Sequence, residues 1–234
     1  MGGIETQPVT GIEIRALAAH ADLDSAVRLQ HEVWGYAPGD SVPLQMFIIA
    51  AGTGGQVLGA FEAGLMVGFL LAFPALKPDG TPYLYSHMLG VRPECRDRRI
   101  GRALKIEQRR DALARDIELV EWTFDPLELK NAHFNIEVLG AIARRYLPNH
   151  WGSTSSPLHG SLPTDRLVAE WWLRQPLPGG RGSVLERIAV PMNIDQARGM
   201  QAAVRERFLD CFGRGMAVVG FERGAYLLAK WPSE

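Results

Sequence analysis

Apolar and polar positions along the chain change period several times, and each change marks a predicted element. From Gly11 to Leu17, Ile12, Ile14 and Leu17 alternate loosely with polar neighbours, as a strand does. Leu23, Val27 and Trp34 follow on a helix that Asp22 or Asp24 can cap. Gly35 to Pro43 reads as a Pro/Gly loop and Leu44 to Ala51 as a short apolar helix. Gly52 to Gly55 is a glycine turn into a strand over Val57 to Glu62, which Ala63-Gly64 folds back as a hairpin onto Met66 to Ala72. These glycines precede a strand and no GK[ST] follows, so they do not read as a phosphate loop.

A strand over Tyr83 to Val91 leads past Pro93 to a long helix, Ile100 to Arg115. Ile100, Ala103, Leu104 and Ile106 fit one face of it, and Glu107 to Asp111 interrupt the stripe. Ile117 to Phe124 carries few charges, as a central strand would. Asp125-Pro126-Leu127-Glu128 reads as a helix start with a capping box, and Gly140 as its end. Strands over Ala143 to Tyr146 and Leu167 to Trp172 flank a polar loop from Asn149 to Asp165. The run QPLPGGRGS, 175–183, reads as a linker dividing a main domain, 10–174, from a C-terminal extension, 184–234. In the extension the pattern predicts a strand near Leu185 to Val190, a helix from Asp195 to Phe212, and a hairpin through Met216 to Ala229 with its turn at Glu222-Arg223-Gly224.

Composition narrows the class. The 234 residues, 47% apolar and 22% charged, are those of an ordinary globular protein, one generous domain with an appendage. Lys+Arg 25 against Asp+Glu 26 leaves a net charge of -1, so no global field draws the chain to nucleic acid or membrane. Cys95 and Cys211 alone make no disulfide framework, and the expected compartment is reducing cytoplasm. Six scattered histidines, with no HExxH or CxxC, point away from a metal. The apolar stretch from Phe69 to Leu76 contains Pro74 and is far shorter than a bilayer span, while Glu5 and Glu13 exclude a signal-peptide core. Met1 to Thr6 matches a myristoylation pattern short enough to arise by chance.

The chemistry concentrates between Leu89 and Arg110. A strand there turns into a helix whose first turn is rich in arginine: Arg96, Arg98, Arg99 and Arg102. Unpaired N–H groups and a partial positive charge at a helix N-terminus make a seat for phosphate. A solvated basic helix face is the alternative on composition alone.

The order of elements resembles that of the GNAT family of acyl-coenzyme A N-acyltransferases over residues 10–174. The family's acyl-CoA loop, V-x-P-x-x-[RQ]-x-x-G-x-[GA], is matched by Val91, Pro93, Arg96, Asp97, Arg98, Arg99, Ile100 and Gly101. The match departs at Arg99, where the family usually has its first glycine, and this departure bears on cofactor affinity. A second frame, Arg98-x-x-Gly101-x-Ala103, begins two residues later. Trp122 to Ala141, the following RRYLPNHWG and Tyr85 to Val91 resemble one GNAT branch, some of whose members acylate amino acids with succinyl-CoA. The resemblance implies a mixed, mostly antiparallel α/β sheet of seven strands flanked by helices, followed here by an α+β extension.

It also implies roles. An ammonium with a pKa near 10 must lose its proton before it attacks a thioester. In arylalkylamine acetyltransferases, histidines at the positions of Tyr85 and His87 relay that proton, which makes His87 the candidate base with Tyr85 beside it. Side chains at 85, 87, 89 and 91 are expected on one strand face. A core histidine is the alternative. Many GNAT enzymes protonate the leaving thiolate with a tyrosine where this chain has Ile136, so Asn135, His133 or Tyr146 are the substitutes. The strand at Leu89 to Val91 would offer backbone N–H donors to the thioester oxyanion, and Asn131 and Asn135 would share a helix face beside the pantetheine arm or be exposed amides. Of Arg144 and Arg145, only one is expected to face the amine site, where it could hold a substrate carboxylate; otherwise both lie on a solvated strand edge.

The implied activity is transfer of an acetyl or succinyl group from its CoA thioester to the primary amine of a small molecule such as an amino acid, in the cytoplasm and without a metal. A homodimer is compatible with it. The alternatives are a non-catalytic CoA-binding or interaction protein on the same scaffold, and a regulatory dimer in which the extension is the functional part.

Overall fold

A computed structural model describes residues 9–36, 39–152, 162–174 and 183–231. The expected linker, apart from Ser183, lies outside these residues, as do residues 153–161 of the expected loop, His159 among them, and the Met1 to Thr6 pattern. The chain forms two compact units, and the boundary between Val120 and Glu121 falls inside a strand.

The first unit contains β1 (Ile12–Ala16), α1 (His20–Trp34), α2 (Leu44–Gly52), β2 (Gln56–Glu62), β3 (Leu65–Leu76), β4 (Pro82–Val91) and α3 (Ile100–Ala114). Its strands pair antiparallel in the order β1-β2-β3-β4, with Ile14 opposite Ala60, Val57 opposite Leu71 and Leu70 opposite Leu89. β2 and most of β3 are buried on both faces, so they read as continuous apolar runs without alternation. On one face Leu17, Leu23, Phe47, Phe69, Leu71 and Met88 form a core with α1 and α2. On the other, Leu58, Val67, Leu70, Ile100 and Leu104 form a core under α3. Ala63 and Gly64, with φ of 47° and 79°, make the tight turn between β2 and β3.

The start of α1 and the end of β3 depart from the sequence pattern. Neither Asp22 nor Asp24 caps α1; the N-cap is Ala19, and Asp22 sits in the first turn, held at 2.7 and 3.1 Å by Arg15 of β1. The ion pair removes the aspartate from capping. β3 also runs past Ala72 through Pro74 to Leu76, because beyond Ala72 it has only β4 as a ladder partner.

The second unit begins within β5 (Leu119–Phe124) and continues through α4 (Leu129–Ala132), a π-helical turn (His133–Val138), β6 (Ile142–Leu147), β7 (Arg166–Trp172), β8 (Glu186–Ala189), α5 (Ile194–Gly199), α6 (Gln201–Gly213), β9 (Met216–Glu222) and β10 (Ala225–Lys230). Its strand order is β5-β7-β6-β9-β10-β8. The C-terminal strands join β6 through Ala143 opposite Val218, and the Glu137 carboxylate accepts from the N–H of Phe221 at 2.5 Å.

The helix expected from Asp125 starts four residues later. Asp125 accepts from the N–H of Leu127 at 2.8 Å, closing a turn of its own, and Glu128 becomes the N-cap. Gly140, at φ 74°, ends the π turn as expected. The single helix expected over 195–212 is two helices, broken at Met200 after Gly199, and Asn193 caps the first by accepting from Asp195 and Gln196. Arg223 and Gly224, at φ 50° and 75°, form the last hairpin turn.

Among the described residues every buried side-chain nitrogen and oxygen has a hydrogen-bond partner, and no helix is long and apolar enough to cross a membrane.

Candidate functional site

In the first unit, β4 passes through a single 3-10 turn, Pro93–Cys95, into the arginine loop and α3. Cys95 and Ile100 are buried and anchor the two ends of the loop in the core under α3. Between them Asp97 and Arg99 have φ of 61° and 63°, the left-handed region that favours glycine. The backbone at Arg99, which is also the N-cap of α3, therefore takes a conformation that a glycine in that slot adopts without strain.

The loop arginines divide by what they touch. Arg98 grips Glu62 at 2.9 and 2.5 Å. Arg96 donates from Nε to the carbonyl of Val91 at 3.4 Å and is otherwise exposed. Arg99 and Arg102 make no ion pair with any described residue. Gly101 serves packing: a Cβ there would lie 3.3 Å from Leu89 Cδ2 and 3.9 Å from Val91 Cγ2. Leu89 and Val91 turn their side chains onto α3, and Ala103 continues its first turn, donating to the Arg99 carbonyl at 3.0 Å.

The expected alignment of side chains 85, 87, 89 and 91 fails at a β-bulge. Ala72 is paired with Ser86 and Leu71 with Met88, so His87 is an extra residue in β4 and the face parity reverses there. Tyr85, opposite Phe73, lies on the face covered by α1 and α2, whereas Leu89 and Val91 lie on the α3 face. The His87 ring contacts Phe73 and Tyr85, with centroids 5.8 and 6.1 Å apart. Burial lowers the His87 pKa below 6.5, which keeps the imidazole neutral at pH 7.

In the second unit the expected residues are engaged with one another. Arg144 is the extra residue of a second bulge, between Ala143 opposite Ala169 and Arg145 opposite Val168. Both guanidiniums therefore reach one carboxylate: Arg144 donates to Glu170 at 2.7 and 3.0 Å, and Arg145 Nε lies 3.7 Å from it while Nη2 donates to Glu121 at 2.6 Å. The expectation that only one could point to a given side is overturned by this bulge. The solvated strand edge describes neither arginine fully: Arg144 is half-buried and Arg145 is exposed, and both are tied to the buried carboxylates of Glu170 and Glu121.

Tyr146 is buried and donates to Asp165 at 2.7 Å, with its ring stacked on Phe208. Burial, then the hydrogen bond and charge of Asp165, push its phenol well above the usual range, which argues against a thiolate-protonating acid. Asn135 is not an exposed amide; it is buried in the π turn and accepts from Trp122 Nε1 at 3.2 Å. Asn131 is exposed on α4, so the two amides do not share surroundings. His133 is exposed and Ile136 buried.

A buried polar cluster in the first unit escaped sequence reasoning. Lys105 of α3 donates to Ser86 at 2.9 Å and to Gln108 at 3.0 Å. Gln108 and Gln56 hydrogen-bond each other, and Gln56 also reaches Asp111. The i, i+4 spacing of Ile100, Leu104, Gln108 and Ala112 carried the signal, because it continues the buried stripe through the apparent interruption. Asp165, Arg205, Glu121 and Glu170 were likewise unmarked by any motif. Among the described residues no group of three or more potential metal ligands occurs.

No protein-family model matches the sequence, and no curated protein matches it. Solved structures do resemble it. The ribosomal-protein-S18-alanine N-acetyltransferase of Escherichia coli is 15% identical over 75% of this chain and 99% of its own, with a TM-score of 0.54. An acetyltransferase of the GNAT family from Streptococcus pneumoniae is 14% identical over 68% and 98%, at 0.54. The protein yncA of Salmonella typhimurium, solved with its cofactor acetyl-CoA, is 14% identical over 71% and 96%, at 0.57. With the strand order and helices described above, these likenesses give the chain the GNAT fold.

Proposed function

We propose that the protein is an acyl-CoA-dependent N-acyltransferase that modifies a primary amine. The observation that carries this reading is the arginine loop: a left-handed backbone at Arg99 opening the N-terminus of α3, with Arg99 and Arg102 unclaimed by any carboxylate of the described residues. Orphan N–H groups and two available guanidiniums suit a pyrophosphate. The acetyl-CoA held by yncA supports the same ligand class here. When bound, an acyl-CoA would supply the thioester carbonyl that an amine attacks, with an acetyl or a succinyl group to transfer.

The residues of this chain then have three tasks. Arg96, Arg99, Arg102 and the first turn of α3 hold the phosphates. His87, neutral at pH 7, takes the proton from the incoming ammonium, with Tyr85 and Phe73 fixing its ring. Ile100, Gly101, Leu89 and Val91 keep helix and strand in contact so that loop and base stay in register.

The acceptor is proposed to be a small molecule. Arg144 and Arg145 do not support an amino-acid carboxylate, because Glu121 and Glu170 already occupy them. The E. coli relative, which by name acts on a ribosomal protein, supports a peptide amine as the second reading. Titration calorimetry with CoA, acetyl-CoA and succinyl-CoA tests the reading: saturable binding of at least one is the expected result, and no binding of any would overturn it.

A further inference from the structure

Around the bulge both faces of β3 are apolar and buried, with Leu70 and Ala72 toward α3 and Leu71, beside Met88 of β4, toward α1 and α2. A strand of this kind sets its pairing register weakly, because a slip by one residue exchanges one apolar face for another. The buried Ser86 beside His87 breaks that equivalence. Its hydroxyl is turned toward α3, where Lys105, 3% exposed, donates to it at 2.9 Å. Gln108 accepts from the same nitrogen and is locked to Gln56 of β2 and through it to Asp111. An apolar side chain at 105 would be cheaper to bury than a lysine. What the lysine adds is discrimination: its hydrogen bond forms only while Ser86, opposite Ala72, faces α3, so it opposes a shift of the bulge toward Ser86.

We propose that the Ser86–Lys105 pair pins the position of the β4 bulge and thereby holds His87 on the face covered by α1 and α2, making Lys105 a positioning residue for the base. This rests on the reading of His87 as that base. With the pair removed, the extra residue can migrate along β4. His87 then leaves Phe73 and Tyr85 while the core stays apolar on both sides.

Three variants test this: Ser86→Ala, Lys105→Met and the two combined. Ser86→Ala takes one acceptor from the buried Lys105, which keeps Gln108, and Lys105→Met takes the donor from both Ser86 and Gln108, so each single variant should lose thermal stability. The double variant removes the Ser86 hydroxyl together with the lysine and should regain part of the Lys105→Met loss, Gln108 alone still lacking the donor it had. Turnover should not follow stability. In all three, kcat should fall about tenfold or more while KM for the acyl-CoA stays within about twofold, and the double variant should not recover. Ser86→Thr, which keeps the hydroxyl, should restore kcat. Cross-relaxation between the His87 ring and the rings of Phe73 and Tyr85, read by NMR in the resting protein, gives a second readout that needs no activity. Its loss in the double variant is the expected result. Full recovery of kcat together with stability, or unchanged ring contacts in the double variant, would overturn the pin. Absence of acyl transfer in the parent would count against the enzymatic reading alone, since the ring contacts still decide the question of register. If Lys105→Met does not fold, the double variant and Ser86→Ala decide it.

Discussion

Tyr146 donates its phenolic proton to Asp165 across 2.7 Å, and Arg205 grips the same carboxylate at 2.8 and 2.9 Å. The N–H of Asn149 completes the set at 2.9 Å, so one buried carboxylate joins β6, the start of β7 and α6. Tyr146→Phe should therefore cost about 1 kcal/mol of stability and leave turnover near the parent value. Asp165→Asn should cost more, about 3 kcal/mol, because it breaks a buried ion pair. Chemical denaturation checks both, and a collapse of kcat in a stably folded Tyr146→Phe would return the phenol to the mechanism.

Arg144 and Arg145 neutralise Glu170 and Glu121 in the same unit. Arg144→Gln leaves Glu170 buried with only the longer contact from Arg145, so it should lose about 3 kcal/mol, and Arg145→Gln, whose side chain is more exposed, about 1 to 2 kcal/mol. Pairing Arg144→Gln with Glu170→Gln should recover much of the loss. A stable Arg144→Gln that instead changes the preference between an amino acid and its decarboxylated amine would show a substrate role.

The arginine loop separates two kinds of arginine. Arg98 is committed to Glu62, so Arg98→Ala should change CoA affinity less than about threefold, whereas Arg96→Ala or Arg102→Ala should weaken it about tenfold or more. Equal effects from all three would mean that only net charge matters. Arg99→Gly removes the strain of a left-handed side-chain-bearing residue and should raise stability by about 0.5 to 1 kcal/mol.

Burial lowers the His87 pKa below 6.5, which fixes the sign of two pH effects. The base form dominates at neutral pH, so kcat/KM for the acyl-CoA at saturating amine should rise with an apparent pKa below 6.5 and be flat on that account by pH 7. Folding stability should be fully present above pH 6.5 and decline as the pH falls through the lower folded value, because the unfolded chain binds the proton first. His87→Gln should abolish this part of the acid loss.

Much of the architecture is legible in the sequence because its signals are local. Ala63-Gly64 and Arg223-Gly224 announce hairpins through the positive φ they need, Gly140 announces the end of a helical segment, and the strands carry their apolar runs. The two bulges are not legible. An extra residue at His87 or Arg144 leaves no mark in composition, yet each reverses the facing of every later side chain in its strand. That reversal is why Tyr85 parts from Leu89 and why both arginines of β6 meet one glutamate. Lys105, Gln108 and Gln56 were hidden for another reason: polar residues on a helix or at a strand end read as solvated until their partners, up to 55 residues away in the chain, are in place. Asp125 and Asp22 show the same limit at helix starts, where a competing turn or ion pair takes the carboxylate.

The most direct test of N-acyl transfer is the amine-dependent release of free CoA thiol. It should be followed at pH 7 with acetyl-CoA and succinyl-CoA against a panel of small primary amines, amino acids and peptides with free N-termini. Stoichiometric thiol and N-acyl product with at least one donor and acceptor are expected, with a fall of about 10² to 10⁴ in kcat for His87→Ala and CoA affinity nearly intact. CoA binding without amine-dependent thiol release across the panel would contradict it and leave a CoA-binding protein on the GNAT fold.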